Sequence, residues 1–156
     1  MANKIKITNY SNHKIRLYVP ELRVDRLFEK QGQSYLFDEE IVKEMFYYPS
    51  VERFFKEGLL YIQDKVTRVA LDLEEEDGSL VEDVVAPISN ATILAYLNAK
   101  PVNEFETYFE KLPMSQKLRF ADIAVENKII NYEKCNIIKA ATGKDIIKII
   151  QLNEEE

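Results

Sequence analysis

The spacing of apolar positions changes period along the chain. In KIKIT (4–8) Ile5 and Ile7 alternate with Lys4, Lys6 and Thr8, the period-two signature of a half-buried strand. Asn9, Ser11 and Asn12 are turn formers, after which IRLYV (15–19) places Ile15, Leu17 and Val19 on one face. LRVDRLF (22–28) and SYLF (34–37), separated by a turn around Gly32, predict two more strands. Four short strands with close connections predict an antiparallel meander or small barrel, which needs a cover over one face. A helix over 38–48, N-capped by Asp38, and a second over 51–58, capped by Ser50 and ended at Gly58, would supply that cover. LLYI (59–62) then returns as a strand.

Residues 64–86 carry no clear period. VTRVALDL fits a strand or a helical turn, DGS (77–79) is a turn signal, and VEDVVAP is expected to be extended up to Pro87. From Ser89 the pattern becomes helical. Ser89 can cap NATILAYLNAK, and VNEFETYFEKL aligns Phe105, Tyr108, Phe109 and Leu112 on one stripe. Ser115 can cap QKLRFADIAVENK and Asn131 can cap YEKCNIIKAAT, which Gly143 stops. Asp145 can cap IIKIIQL. The fold class is therefore α+β: a small antiparallel β meander or barrel packed with two short helices, then a C-terminal helical bundle. The expected organisation is a β-rich α+β unit over 1–63, an acidic connecting segment over 64–88, a helical bundle over 89–153 and an acidic tail over 154–156.

Charge supports a separate middle segment. The net charge of −6 divides into +1 over 1–73 (12 bases, 11 acids), −6 over 74–86 (six acids, no base) and −1 over 87–156 (9 bases, 10 acids). An isolated acidic run reads as a solvated connection. It gives nucleic acid no global attraction. The single cysteine, Cys135, excludes an internal disulfide framework and a multi-cysteine zinc site, and a reducing intracellular setting is the simpler reading. No apolar run suits a signal peptide or a membrane span.

Candidate chemistry is sparse, and the protein is expected not to be an enzyme and to need no cofactor or metal. The only histidine, His13, lies in a turn beside Asn12 and Lys14, without an acidic or cysteine neighbour at ligand spacing. Cys135 shares a helix face with Ile138 and reads as a small buried hydrophobe. Glu74, Glu75, Glu76 and Asp77 lack the spaced ligands of a calcium loop, and the four glycines form no phosphate-binding motif.

Two stretches point to binding. Among the aromatic residues of the first part, the adjacent pairs Tyr47–Tyr48 and Phe54–Phe55 cannot both face inward from a helix. Tyr47, Tyr48, Phe54 and Phe55 are therefore the candidate partner interface. The segment 117–149 has the helix–break–helix form of a DNA reader, and under that alternative Lys134, Lys139 and Lys144 are the contacts. Residues 113–153 hold seven bases and four acids, but Glu154, Glu155 and Glu156 return the sum to zero, a poor phosphate footprint.

The segments KIKITNYSNHKIRLYVPEL, RLFEKQGQSYLFDEEI and YYPSVERFFKEGLLYI, with the C-terminal NEFETYFEKLPMSQKLRFADIAVENKIINYEKCNIIKAATGKDIIKIIQL, resemble small uncharacterised proteins encoded among the structural genes of tailed bacteriophages and prophages. The resemblance covers most of the chain outside 64–88. It rests on hydrophobic spacing and turn residues and transfers no site residues. It implies a virion structural or assembly accessory protein, head or neck associated, found in the virion and in host cytoplasm during assembly. Its partners would be other virion proteins or further copies of itself; the alternative is a phage nucleic-acid-binding or transcription-modulating protein using the helix pair at 115–142. The expected contact surfaces are the edge of the meander at 4–8, the aromatic helices and a face of the bundle.

Overall fold

The computed structural model describes residues 3–155 and is α+β, dividing into two compact units after Pro87. The described residues hold eight α-helices and two small antiparallel sheets, and no closed barrel forms.

The first unit contains strands β1 (Lys4–Asn9), β2 (Ile15–Val19), β3 (Val24–Phe28) and β4 (Ser34–Asp38), helices α1 (Glu39–Met45) and α2 (Pro49–Lys56), strand β5 (Leu60–Ile62) and helix α3 (Lys65–Ala70). The pairing differs from a meander. Only β2 and β3 pair as sequence neighbours, and they form their own two-stranded sheet. β1 lies at the centre of the other sheet, whose order is β4-β1-β5, with Ile5 opposite Phe37 and Ile7 opposite both Tyr35 and Ile62.

Asn9 accounts for much of this choice. It is fully buried, and its Oδ1 accepts from the Ser11 amide (2.8 Å). Its Nδ2 donates to the carbonyls of His13 (3.1 Å) and Lys30 (3.2 Å), and its own carbonyl accepts from the Gly32 amide (2.7 Å). One side chain thus ties the turn after β1 to the turn before β4, so that β4 enters beside β1. Alternation reports which face a strand buries and says nothing of which strand it pairs with.

The core of this unit gathers Ile5, Ile7, Leu17, Phe28, Val42, Met45, Phe55, Leu60 and Ile62 from both sheets and the two helices. Asp38 holds the N-cap position of α1 but makes no cap bond; its carboxylate pairs with Lys4 instead. α2 starts two residues ahead of expectation because Pro49, with its φ pre-set for a first helical turn, occupies the first position, leaving Ser50 inside the helix.

Residues 64–87 fold with the first unit rather than standing apart as a solvated connection. Asp64 caps α3 through the Thr67 amide (3.1 Å). Arg68 donates to the carbonyls of Ile62 (2.9 Å) and Gln63 (2.8 Å), pairs with Glu74 (3.2 Å) and lies over the Tyr61 ring (4.9 Å). Leu73 is buried, and Glu74 bridges Leu80 across the acidic turn.

The second unit comprises α4 (Asn90–Asn98), α5 (Val102–Glu110), α6 (Met114–Glu126), α7 (Tyr132–Thr142) and α8 (Ile146–Glu154). Phe105, Phe109 and Phe120 form its aromatic centre, with Ile93, Leu97, Ile138 and Ile146 buried alongside. Ser89, Asn131 and Asp145 cap their helices as their positions predict, accepting from the amides of Thr92, Lys134 and Lys148. Gly143 ends α7 in the left-handed conformation (φ +78°), its amide reaching Lys139. Ser115 does not cap α6. Pro113 is the N-cap, because its carbonyl already accepts from Gln116 and Lys117. No described helix is long and apolar enough to cross a membrane.

Candidate interaction surfaces

Of the four residues predicted to form a partner interface, only Tyr47 is fully presented, at 85% exposure in the turn between α1 and α2. Phe55 is buried in the core, its ring 4.8 Å from that of Phe46. Tyr48 and Phe54 are partly buried against the same core. A helix periodicity argument shows that adjacent aromatics cannot both point inward. It does not show that the second of each pair leans back onto the core edge, as these two do.

The predicted contact edge at 4–8 is also reassigned. β1 is paired by β4 over Lys4–Thr8 and by β5 over Ile7–Asn9, with the Gln63 amide on the Lys6 carbonyl, so of the predicted edge only Lys4 and Ile5 lack a neighbour on the β5 side. The outer positions of that sheet belong to β4 and β5. Exposed apolar side chains accompany the outer strands: Leu36 on β4 (63% exposed) and Tyr18 on β2 (56%). Arg16, over the Tyr18 ring at 4.5 Å, also makes a two-pronged contact with Asp25 across the β2–β3 pair.

The three lysines of the nucleic-acid alternative do not form one face. Lys134 is buried, with 2% of its surface exposed. Its ammonium donates to three backbone carbonyls at the end of α4: Tyr96 (2.7 Å), Leu97 (3.0 Å) and Lys100 (2.6 Å). It sits 5.8 Å from the centre of the Phe105 ring. The last carbonyls of a helix lack partners within it and carry the negative end of the helix dipole, so a cation there satisfies both. Burial pushes the Lys134 pKa below the ordinary lysine value. Lys139 pairs with Asp145 (3.3 Å), the cap of α8. Lys144 is exposed after the Gly143 stop.

A second buried cation escaped the sequence reading. Arg119, on α6, is 1% exposed and donates to Gln116 Oε1 (2.9 Å) and Asn90 Oδ1 (3.0 Å). Asn90 begins α4, so Arg119 holds the start of that helix while Lys134 holds its end. Burial lowers the Arg119 pKa, opposed by the nearby Tyr108. Tyr108 in turn stacks flat on Tyr96 (4.0 Å, 6° between planes), and its pKa is raised by burial and then by Tyr96. Two of the seven bases counted over 113–153 are therefore interior groups. The signal was present for Lys134, which stands four residues before Ile138 on the apolar stripe, at a core position occupied by a polar residue type.

His13 lies exposed in the turn, its carbonyl held by Asn9 and its amide by Ser11 Oγ. Cys135 is buried, its thiol 3.4 Å from the Ile129 carbonyl and its pKa raised by burial and by the charge of Asp145. The described residues contain no group of three His, Cys, Asp or Glu side chains placed to hold a metal ion. The acidic residues Glu74–Asp77 line an open surface cleft with Val69 and Asp72. Comparison with known proteins finds no matching family model, no matching curated protein and no matching solved structure.

Proposed function

We propose that this protein is a non-enzymatic structural or assembly accessory protein of a tailed bacteriophage, acting through protein–protein interfaces at the head or neck of the virion. It is made in host cytoplasm and carried into the particle. In this reading the β-rich unit and a C-terminal helical bundle are separate contact modules, engaging other virion proteins or further copies of the chain. The observation that carries the reading is the display of single large apolar side chains on otherwise well-packed units. Tyr47, Ile130 and Tyr132 are 85%, 67% and 69% exposed, while among the described residues every buried side-chain nitrogen and oxygen has a hydrogen-bond partner. Exposed aromatic and apolar anchors of this kind are what partner surfaces use. The nucleic-acid alternative loses its central contact, since Lys134 is committed to three carbonyls in the interior.

The test is quantitative mass spectrometry of purified particles from a phage or induced prophage encoding the chain. The expected result is a fixed copy number per particle, abolished together with particle assembly by Tyr47→Ser or Tyr132→Ser. Absence from particles, with a monomer in light scattering, overturns the proposal. Salt-dependent affinity for DNA in a binding titration would favour the alternative.

A further inference from the structure

We propose that Tyr96 and Tyr108 form an oxidative modification site, where a peroxide-derived one-electron oxidant joins the two side chains as a dityrosine that staples α4 to α5. The modification requires none of the partners of the proposed function and lies within the helical unit.

The geometry of the pair carries the assignment. Tyr96 on α4 and Tyr108 on α5 stack face to face, with ring centres 4.0 Å apart and planes 6° from parallel. That is closer than the about 4.5–7 Å usual for aromatic pairs. Both residues are half-buried, so an oxidant in solution can draw an electron from the stack and water can take up its protons. The end of α4 is also held in place. The Lys134 ammonium binds the carbonyl of Tyr96 itself (2.7 Å) together with those of Leu97 and Lys100, and Phe120 backs Tyr108 at 6.2 Å. Two reacting groups fixed side by side combine far faster than the same groups meeting by diffusion.

The competing placement is poorer. Among the described residues the other tyrosine pair in ring contact, Tyr10 and Tyr61, meets edge to face at 5.5 Å and 76°. An edge aimed at a face does not bring the two reacting carbons together. Arg68 also covers the Tyr61 ring at 4.9 Å, and a cation over a ring opposes the loss of an electron from it. Lys100 acts on Tyr96 in the same sense, but from 5.8 Å and from an exposed position.

In the reaction each phenol gives one electron to the oxidant and its hydroxyl proton to water. This leaves two phenoxyl radicals, each with its unpaired electron shared onto the ring carbons beside the oxygen. One such carbon from each ring supplies its electron to a new carbon–carbon bond. Each of those carbons then loses its hydrogen as a proton while each oxygen takes one up, and both rings become aromatic again. The chain loses two electrons and two protons in all, and the oxidant is reduced by the same two electrons.

The test illuminates the dilute full-length protein with tris(bipyridyl)ruthenium and persulfate, a one-electron oxidant. The expected product stays at the monomer position on a denaturing gel, shows dityrosine fluorescence and is lighter by two hydrogen atoms. Cleavage after Glu104 and Glu106 puts the two tyrosines on separate peptides, so a linked pair of peptides in mass spectrometry identifies the site. Tyr96→Phe and Tyr108→Phe, which keep the ring and remove the phenol, should each abolish the product, with circular dichroism checking that the helices remain. Tyr47→Phe, at the most exposed of these positions, should leave the yield unchanged. A link that maps to Tyr10 and Tyr61, or monomer fluorescence that survives both Tyr96→Phe and Tyr108→Phe, overturns the proposal. So does oxidation of Tyr47 in the unsubstituted protein with no internal link.

Discussion

Replacing Lys134 with Met tests whether a charge counted toward the protein surface is in fact part of the interior. Met matches the length of the aliphatic stem and removes the ammonium. Three carbonyls at the end of α4, those of Tyr96, Leu97 and Lys100, then lose their donor. Hydrogen bonds from a charged group are worth about 1.5–3 kcal/mol each, and they are not additive when one nitrogen makes all three. Two effects reduce the sum. The variant no longer bears the cost of keeping an ammonium away from water, and Lys100, which is exposed, can have its carbonyl hydrated. A net loss of about 2–4 kcal/mol follows, a large part of the roughly 5–15 kcal/mol that stabilises a typical domain. Urea unfolding followed by far-ultraviolet circular dichroism measures it. Lys139→Met is the control, because its pairing with Asp145 is solvent-exposed and such pairs contribute about 1 kcal/mol or less. If Lys134→Met changes stability by less than about 0.5 kcal/mol, the lysine behaves as an ordinary surface residue and the buried-cap assignment fails.

Further outcomes follow from the same geometry. Asp145 caps α8 and pairs with Lys139, and its bond to the Lys148 amide, then the Lys139 contact, hold its pKa below the ordinary carboxylate value. Its contribution is therefore complete at neutral pH and is lost as pH falls through the ordinary value to the folded one. Asp145→Asn, which retains a capping oxygen, should flatten that acid limb in denaturation midpoints measured from pH 7 to pH 3; an unchanged limb would assign it to other carboxylates. Gly58→Ala should destabilise the first unit by more than Gly32→Ala. Both residues have positive φ, which costs about 1–2 kcal/mol for a residue with a Cβ, but only Gly58 also meets backbone atoms within 3.0 Å. Equal losses in thermal melts would remove the close approach of the Val85 and Ala86 backbone to Gly58. The Cys135 thiol, buried and with its pKa raised, should react with Ellman's reagent only as fast as the protein opens. Rapid stoichiometric labelling of the native protein would contradict that burial.

How much of this was legible beforehand depended on the kind of information each feature needs. The helix stops and half of the predicted caps were readable because they are local: Ser89, Asn131 and Asp145 each satisfy an amide three residues on, and Gly143 adopts a backbone conformation that disfavours other residues. Ser115 was a local reading that failed, since the proline two residues earlier started the helix first. The interface residues were half legible. Tyr47 does face solvent, but Phe55 was drawn into the core by its contact with Phe46, a distinction that depends on the direction from which the second helix approaches.

The sequence by itself determined the elements other than α3, the change of period at Ser89 and the apolar faces, because propensity, capping and periodicity act over a few residues. Tertiary structure alone decided that β1 sits between β4 and β5, that the acidic stretch folds back through Arg68 and Leu73, and that Lys134 and Arg119 hold opposite ends of α4. The strand pairings and the two buried cations join groups 26 to 55 residues apart, whereas Arg68 and Glu74 are six apart. Whether a polar side chain is surface or interior depends on the partner that satisfies it, and that partner is fixed only when the chain has folded.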